Sequence, residues 1–322
     1  MWYPPFNTGA GYAMGINAGA EMTTFEMRFI ALRCKDTIAP TGTIAQGVGA
    51  KQVNSHGEVY ETKYGLTTSQ RVYGTVRENI EGRGPCYLRT EGISEAQDES
   101  LKKAYLNMAP SQTLKWIESG KNPSEQNVEI EGTEPYVVGG HTASGYWVDT
   151  KRRTTIKNLF AAGDVAGGCP QKYVTGAMVE GEIAADTMVD ELDNASVLKS
   201  GQETVINSQM LQNSNWENCA DNGNKDDFDM KIAEYNKILN CHDNVYTTEQ
   251  LEDAMQKVMD TYAGGIGSHY QFNEKQLELA KEKIEHLQIL AENISADDMH
   301  ELMFAYELRE RLTVCLSLIE HL

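Results

Sequence analysis

The sequence predicts an α/β fold joined to an all-helical region, and three observations support this fold class. An apolar run ends in a glycine turn and an acid at residues 159–164, and a helix rich in small residues begins near Gly176. A polar, turn-rich stretch follows from about residue 196. Beyond it, apolar residues recur at helical spacing on three successive segments, which is the period of an antiparallel bundle. A chain of 322 residues is long enough for two or three domains.

Capping signals predict where the C-terminal helices begin. Thr247 with Gln250 forms a capping box before the first helix, and Asn273 can cap the second. Ser295 with Asp298 opens the third, which continues to the last residue without a stop signal. From that missing signal we expect a truncated chain.

The composition excludes several classes of partner. With 28 basic and 47 acidic residues the formal net charge is −19, so the surface repels nucleic acid and anionic lipid. An anionic substrate must therefore be attracted by a local group of Arg and Lys. The start, MWYPPFNTGAGYAMG, does not resemble a signal peptide, and no stretch approaches the length of an apolar membrane span, so we expect a cytoplasmic protein. Its six cysteines contain no C-x-x-C pair, so we predict no metal site and no iron–sulfur cluster.

Three glycines near the start, Gly9, Gly11 and Gly15, have a spacing that invites a dinucleotide-binding interpretation. That fingerprint needs a buried strand immediately before its first glycine. The preceding MWYPPFNT contains two prolines and is not such a strand. Close packing of a helix, over the segment GYAMGINAGAEM, is the better interpretation.

The segment at residues 159–188 suits an extended polar cofactor better. Asp164, at the exit of the predicted strand KNLFAAGD, could accept hydrogen bonds from a polyol. The helix that follows would direct free N–H groups and its positive dipole end at a developing negative charge. A flavin needs both, an acceptor for its ribityl chain and a positive dipole beside its ring. The alternative is an ordinary strand–turn–helix with a surface aspartate.

Two further segments carry candidate substrate-binding groups. His141 follows two glycines, so it could donate to an anionic oxygen or transfer a proton, although a structural role is the alternative. In EMRFIALRCKD, either Arg28 or Arg33 could bind a carboxylate, sulfate or phosphate while the other pairs with an acid such as Glu26. Two ordinary ion pairs are an equally good interpretation of these arginines.

Three segments, in their order along the chain, resemble a known family, the flavoprotein subunits of fumarate reductase, succinate dehydrogenase and aspartate oxidase. They are GYAMGINAGAEM, EPYVVGGHTASG, and LFAAGD together with the GG and EG pairs that follow it. The resemblance covers nearly the whole chain, and within the family the adenylylsulfate reductase alpha chain is most similar. The loop GGCPQKYVTGAMVEG has Lys172 where fumarate reductases carry an arginine, and MWYPPFN and MRFIALRCKD also resemble the adenylylsulfate enzyme. The loop GGHTASGYWVD is instead closer to fumarate reductase and aspartate oxidase.

The resemblance implies an FAD-dependent oxidoreductase that reversibly reduces adenylylsulfate to AMP and sulfite through a flavin N5–sulfite adduct. It implies that Arg33, His141 and Lys172 are catalytic. The residues that it places around the substrate are Trp2, Phe29, Arg33 and His141. Those that it places at the FAD are Gly163, Asp164, Lys172, Gly176, Ala177 and Met178. Since the chain has no cluster motif, electrons are expected from a separate iron–sulfur (ferredoxin-like) subunit.

Two alternative functions stay open. A fumarate reductase or succinate dehydrogenase-like flavoprotein would act on a dicarboxylate; Lys172 argues against it and HTASG argues for it. A non-catalytic interaction module would use its helical bundle and acidic surface to bind a partner.

The resemblance completes the predicted fold class: part of a two-dinucleotide-type FAD domain, an α+β capping domain and a C-terminal helical bundle. The predicted divisions are residues 1–29 (end of the first part of the FAD domain), 30–135 (capping domain), 136–195 (second part of the FAD domain) and 196–322 (helical domain). The family's GxGxxG segment, which holds the ADP of the flavin, is absent. We therefore expect that this chain lacks an N-terminal flavin half and, alone, binds FAD weakly or not at all.

Overall fold

The structure is a computed structural model that describes residues 7–37, 39, 41, 47–135, 137, 142–168, 173–199, 225–240 and 246–322. These residues group into two compact units. The first lies within Phe29–Tyr136 and Asp260–Phe272, and the second within Thr8–Arg28, Val137–Met259 and Asn273–Leu322. The predicted division into four domains stays a prediction.

The described helices and strands alternate in the first half of the chain, and helices fill the second half. In chain order they are α1 (Ala10–Asn17), β1 (Met22–Thr23), β2 (Leu32–Cys34), β3 (Lys51–Val53), α2 (Glu61–Tyr64), α3 (Thr68–Ile80), β4 (Cys86–Arg89), α4 (Glu95–Met108), α5 (Pro110–Ser119), β5 (Val128–Gly132), β6 (Gly145–Tyr146), α6 (Val174–Lys199), α7 (Lys225–Leu239), α8 (Thr248–Tyr262), α9 (Glu274–Ala291) and α10 (Met299–His321).

The first unit is built on a four-stranded antiparallel sheet in the order β2–β5–β4–β3. Side chains alternate along the strands, so that Val128 and Ile130 of β5 are buried while Glu129 and Glu131 are only half-buried. The buried face packs against helices that carry Tyr105 and Trp116, whose rings meet edge to face with centroids 5.5 Å apart.

The second unit has a core between α1, the short β1–β6 ribbon and α10. Phe25 is fully buried at its centre, 5.3 Å from the ring of Tyr12. The predicted close packing of the first helix is confirmed, because a Cβ on Gly15 would lie only 1.9 Å from the ring of Tyr146. The helix is shorter than predicted and ends at Asn17, since the chain turns through Gly19 at a φ of 83° before β1.

We predict that Gly15→Ala lowers the free energy of unfolding by about 1–3 kcal/mol, because the added methyl overlaps the Tyr146 ring and forces the core to shift. Urea unfolding followed by circular dichroism measures the change. The matched control is Gly181→Ala in α6, where an added Cβ meets no atom within 4 Å. That control should be stabilised by about 0.5–1 kcal/mol. Equal effects of the two substitutions would contradict the packing argument.

The caps of the C-terminal helices follow the sequence, with one correction. Thr247 and Gln250 form the predicted capping box, with N···O distances of 3.0 and 3.2 Å. The side chain of Asn273 caps α9. The third helix was expected to open with Ser295 and Asp298, but Asp298 alone is its N-cap and accepts from two N–H groups of the first turn. A carboxylate at this position satisfies two otherwise unpaired donors.

A segment between α8 and α9 completes the first unit. The hydroxyl of Tyr270 donates to the carbonyl oxygen of Thr133 at 2.9 Å, and a Cβ on Gly132 would lie 2.2 Å from that hydroxyl. Two consecutive residues, His269 and Tyr270, have positive φ angles of 52° and 62°. Such a pair of non-glycine residues is costly and persists only where surrounding contacts enforce it.

Candidate functional site

The described residues among those predicted to bind the cofactor lie at or next to a turn that begins with Gly163. This residue has a φ of 72° and opens the 3₁₀ turn Gly163–Val165. Its N–H donates to Oε2 of Glu180 at 2.9 Å. A Cβ on Gly163 would lie 3.3 Å from the Cβ of Ala177. The turn is therefore held directly against the first turns of α6, and a side chain at Gly163 would be strained.

The prediction of a β-strand that leads into this turn is wrong. Over KNLFAAGD the structure has one isolated bridge, between Arg153 and Phe160, and a second bridge, between Tyr146 and Ala166, lies just beyond the segment. A strand needs a neighbour along several residues to pair its backbone groups. Within the described part of the chain, each neighbour of this segment offers one pairing position.

Asp164 lies on the exposed side of the turn. Its carbonyl oxygen accepts from the hydroxyl of Tyr12 at 3.1 Å, which ties the turn to α1. The hydroxyl of Tyr146 donates to the carbonyl oxygen of Gly11, and burial raises the pKa of Tyr146. Both tyrosines thus fix the backbone around the turn, and residue 164 stays accessible to a ligand.

The first turns of α6 border the Gly163 turn. Gly176 and Ala177 are half-buried, and Met178 is exposed. The free N–H groups at the start of a long helix favour an anionic or electron-rich group. Among the remaining predicted site residues, Trp2, His141 and Lys172 lie outside the described residues.

Glu180 is a member of this site that the sequence analysis missed. Its side chain is buried, with 3% relative exposure, and only Oε2 is used by Gly163. Oε1 is buried and accepts no hydrogen bond within the described structure. A buried acceptor without a donor is costly, so it marks a place where a ligand can contribute one. The available signal was an acid in a run of small and apolar residues, one helical turn after Gly176.

Arg33 and Phe29 lie in the first unit. Arg33 is on β2 directly opposite Glu131 on β5, and its Nη2 contacts Glu131 at 3.2 Å and Glu134 at 3.3 Å. Its Nε is buried and has no partner among the described residues. Arg33 is therefore ion-paired, and its two acidic partners are distant from it in the sequence. Burial lowers the pKa of the second candidate arginine, Arg28.

Comparisons with known proteins identify the family. The family model described as FAD binding domain matches residues 1–177. The chain belongs to this family. It is 28% identical to the alpha chain of the Megalodesulfovibrio gigas adenylylsulfate reductase, over 100% of this chain and 54% of the relative. The adenylylsulfate reductase structure from Archaeoglobus fulgidus gives a TM-score of 0.78 at 30% identity, over 100% of this chain and 55% of that one.

Similarity to the fumarate reductases is weaker. The fumarate reductase (CoM/CoB) relative from Methanothermobacter marburgensis is 28% identical over 56% of this chain and 33% of its own length. The E. coli quinol fumarate reductase gives a TM-score of 0.73 at 16% identity, over 98% of this chain and 54% of that one, and this likeness concerns the fold alone. Two curated relatives match 97–100% of this chain, and the chain spans about half of their length.

These findings confirm the resemblance to the adenylylsulfate reductase alpha chain within the fumarate reductase family, and FAD as the cofactor that the family implies. They also confirm an FAD-binding fold of mixed helix and sheet content. No helix in the part of the chain that the structure describes is long and apolar enough to cross a membrane. Across the same residues, no group of three or more His, Cys, Asp or Glu could hold a metal ion.

Proposed function

We propose that this chain forms part of an FAD-dependent adenylylsulfate reductase, which interconverts adenylylsulfate with AMP and sulfite. The observation that carries the proposal is the extent of the similarity. It covers the entire chain at 28–30% identity for adenylylsulfate reductases, against 56% of the chain for the curated fumarate reductase relative. A dicarboxylate substrate is accordingly not favoured. The cytoplasmic location stays a prediction.

The residues around the Gly163 turn fit the flavin. FAD carries ribityl hydroxyls that donate hydrogen bonds, and the site offers unused acceptors in the buried Oε1 of Glu180 and the exposed Asp164. The start of α6 would stabilise negative charge on the ring. When bound, FAD supplies two-electron transfer to sulfur, for which we propose the sulfite adduct expected from the sequence; an adenylylsulfate reductase relative has been solved with sulfite as a covalent adduct.

Arg33 and Phe29 are proposed to contact the substrate, with Trp2, His141 and Lys172 in the roles expected from the resemblance. Two carboxylates, those of Glu131 and Glu134, already contact the guanidinium of Arg33. A substrate anion must therefore compete with them. Glu134 is the more exposed of the two, with 56% of its side chain accessible against 24% for Glu131. We propose that the substrate anion takes the place of Glu134 at Nη2.

We predict that Glu134→Gln strengthens binding of AMP or adenylylsulfate about two- to fivefold, because the amide competes less well than a carboxylate for Arg33. Isothermal titration or the KM for adenylylsulfate measures the change. The matched control is Glu129→Gln on β5, which removes a carboxylate that pairs with Lys35 at 2.8 Å instead. Equal affinity changes in both variants would assign the effect to overall charge.

Electrons are proposed to come from a separate iron–sulfur subunit, and the decisive experiment includes it. The protein is co-expressed with that iron–sulfur protein, and ferricyanide reduction by sulfite is followed with and without AMP, with succinate as a parallel donor. AMP-dependent sulfite oxidation is the expected result. Succinate oxidation without any effect of AMP would contradict the proposal and would indicate a dicarboxylate substrate.

A further inference from the structure

A loop between α8 and α9 is closed by its own hydrogen bonds and belongs to the first unit. We call residues 263–272 the Tyr270 loop. The N–H of Tyr270 donates to the carbonyl oxygen of Gly265 at 2.8 Å, and the N–H of Gly267 donates to Oδ1 of Asp260 at 2.9 Å. A Cβ on Gly265 would lie 2.4 Å from the Cα of Asp260, so only a glycine fits at that position. These contacts fix the place from which the side chain of Tyr270 extends.

The hydroxyl of Tyr270 lies at one end of the β2–β5 pair, where hydrogen bonds link it to both chains. It donates to the carbonyl oxygen of Thr133 at 2.9 Å. The N–H of Thr133 donates to the carbonyl oxygen of Ala31 at 2.8 Å, and its Oγ1 accepts from the N–H of Ala31 at 2.9 Å. Because Thr133 is buried, water does not readily replace the tyrosine hydroxyl at its carbonyl oxygen.

The same end of the pair carries Arg33 and the two carboxylates that contact its Nη2, those of Glu131 and Glu134. Thr133 stands between these two acids in the sequence, so a shift of its backbone moves both of them. Burial raises the pKa of Tyr270, and the charge of Glu134 raises it further. The hydroxyl therefore keeps its proton, and it stays a donor throughout the ordinary pH range.

We propose that Tyr270 is a positioning residue for Arg33. Its hydroxyl fixes Thr133 and, with it, the two carboxylates that hold the guanidinium at the place proposed for the substrate anion. A Cβ on Gly132 would lie 2.2 Å from the hydroxyl, so the glycine allows the ring to approach the backbone this closely. The two successive residues with positive φ in the Tyr270 loop are a strain of the kind that collects at functional sites. The identity of the anion rests on the proposed function, whereas the positioning of Arg33 does not.

The exchange of the Nε–H of Arg33 with water, followed by NMR on the full chain, tests the proposal without any substrate. This nitrogen is buried and has no partner among the described residues, so its exchange rate reports whether the guanidinium stays in place. Loss of the signal in Arg33→Lys identifies it. Tyr270→Phe removes only the hydroxyl and should speed the exchange about five- to tenfold, the change that corresponds to one ordinary hydrogen bond.

The indole N–H of Trp116 is the internal reference, because it is buried in the core of the same unit and also lacks a partner in the described structure. Its exchange should stay within about twofold of wild type in Tyr270→Phe. Tyr73→Phe, at an exposed tyrosine of the first unit, is the matched control and should leave both rates unchanged. Equal acceleration at Arg33 and Trp116 would overturn the proposal, since the hydroxyl would then stabilise the unit as a whole. Unchanged exchange at Arg33 would overturn it as well.

A second readout uses the chain together with its iron–sulfur partner. Tyr270→Phe should raise the KM for adenylylsulfate about five- to tenfold and leave kcat within about twofold, because it loosens a binding group without removing it. An unchanged KM would contradict the proposed link to the substrate anion. If the exchange at Arg33 responds but the wild type shows no AMP-dependent oxidation of sulfite, the positioning of Arg33 is supported and the proposed function fails.

Discussion

Glu180→Gln should weaken FAD binding by about ten- to a hundredfold while leaving the free energy of unfolding within about 0.5 kcal/mol of wild type. The glutamine carbonyl can still accept from the N–H of Gly163, as Oε2 does at 2.9 Å. Its amide nitrogen replaces Oε1, the buried oxygen without a donor. A group that donates cannot accept from the cofactor, and a hydrogen bond to a charged acceptor contributes about 1.5–3 kcal/mol.

Because weak FAD binding is expected of the chain alone, the affinity is measured by quenching of flavin fluorescence at high protein concentration, and urea unfolding without FAD measures the stability. Glu182→Gln is the matched control, because it makes the same chemical change on an exposed position of the same helix. Its FAD affinity should equal that of wild type. If Glu180→Gln also binds FAD as the wild type does, Oε1 does not face the cofactor and the site described around Gly163 is incomplete.

Glu78→Ala should lower the free energy of unfolding by about 3–5 kcal/mol, because it removes a buried carboxylate that several hydrogen-bond donors share. Glu78 is 1% exposed and accepts from Arg83 at 2.6 and 2.7 Å. It also accepts from Asn54 at 3.0 Å and from Tyr64 at 2.7 Å. Without the carboxylate these donors lose their shared acceptor, and urea unfolding measures the loss.

Glu81→Ala is the matched control, because Glu81 binds the same arginine but stands in a more exposed position. An exposed pair contributes at most about 1 kcal/mol, so the control should change stability by that amount or less. Comparable losses in the two variants would show that burial of Glu78 is not what stabilises the network.

The same network predicts a pH dependence. The hydrogen bond from Arg83, followed by those from Asn54 and Tyr64, holds the pKa of Glu78 far below its usual range. A carboxyl whose folded pKa is depressed contributes stability that is fully present above the unfolded pKa of about 4.3 and is lost as the pH falls below it. The urea midpoint should therefore decline with acidification below about pH 4.5, and Glu78→Ala should flatten this decline. An unchanged slope in the variant would contradict the assignment.

Local features of the fold were predictable because their causes lie within a few residues. The Thr247 capping box and the Asn273 cap depend on partners three positions away, and the structure places both as expected. Close packing at Gly15 was also predictable in kind, since a helix rich in small residues has to meet a neighbour closely. The neighbour itself, Tyr146, was not predictable, because it is distant in the chain.

The rest of the site depends on pairings that no local pattern encodes. The sequence suggested a nearby acid such as Glu26 as an arginine partner, but Arg33 lies on a strand opposite Glu131, 98 positions away. Glu180 becomes part of the site only because the Gly163 turn folds against α6. The predicted strand before that turn was wrong for a related reason, since a strand exists only with a partner of matching length.

The contact between Tyr270 and Thr133 ties the order of synthesis to the order of folding. A ribosome releases the sheet residues of the first unit about 140 residues before Tyr270 emerges, which is roughly 7–28 s at ordinary elongation rates. During that interval the carbonyl of Thr133 lacks the hydroxyl that it binds in the finished protein, and Gly132 has no ring beside it. The nascent first unit therefore lacks this contact until the C-terminal helices are being synthesised.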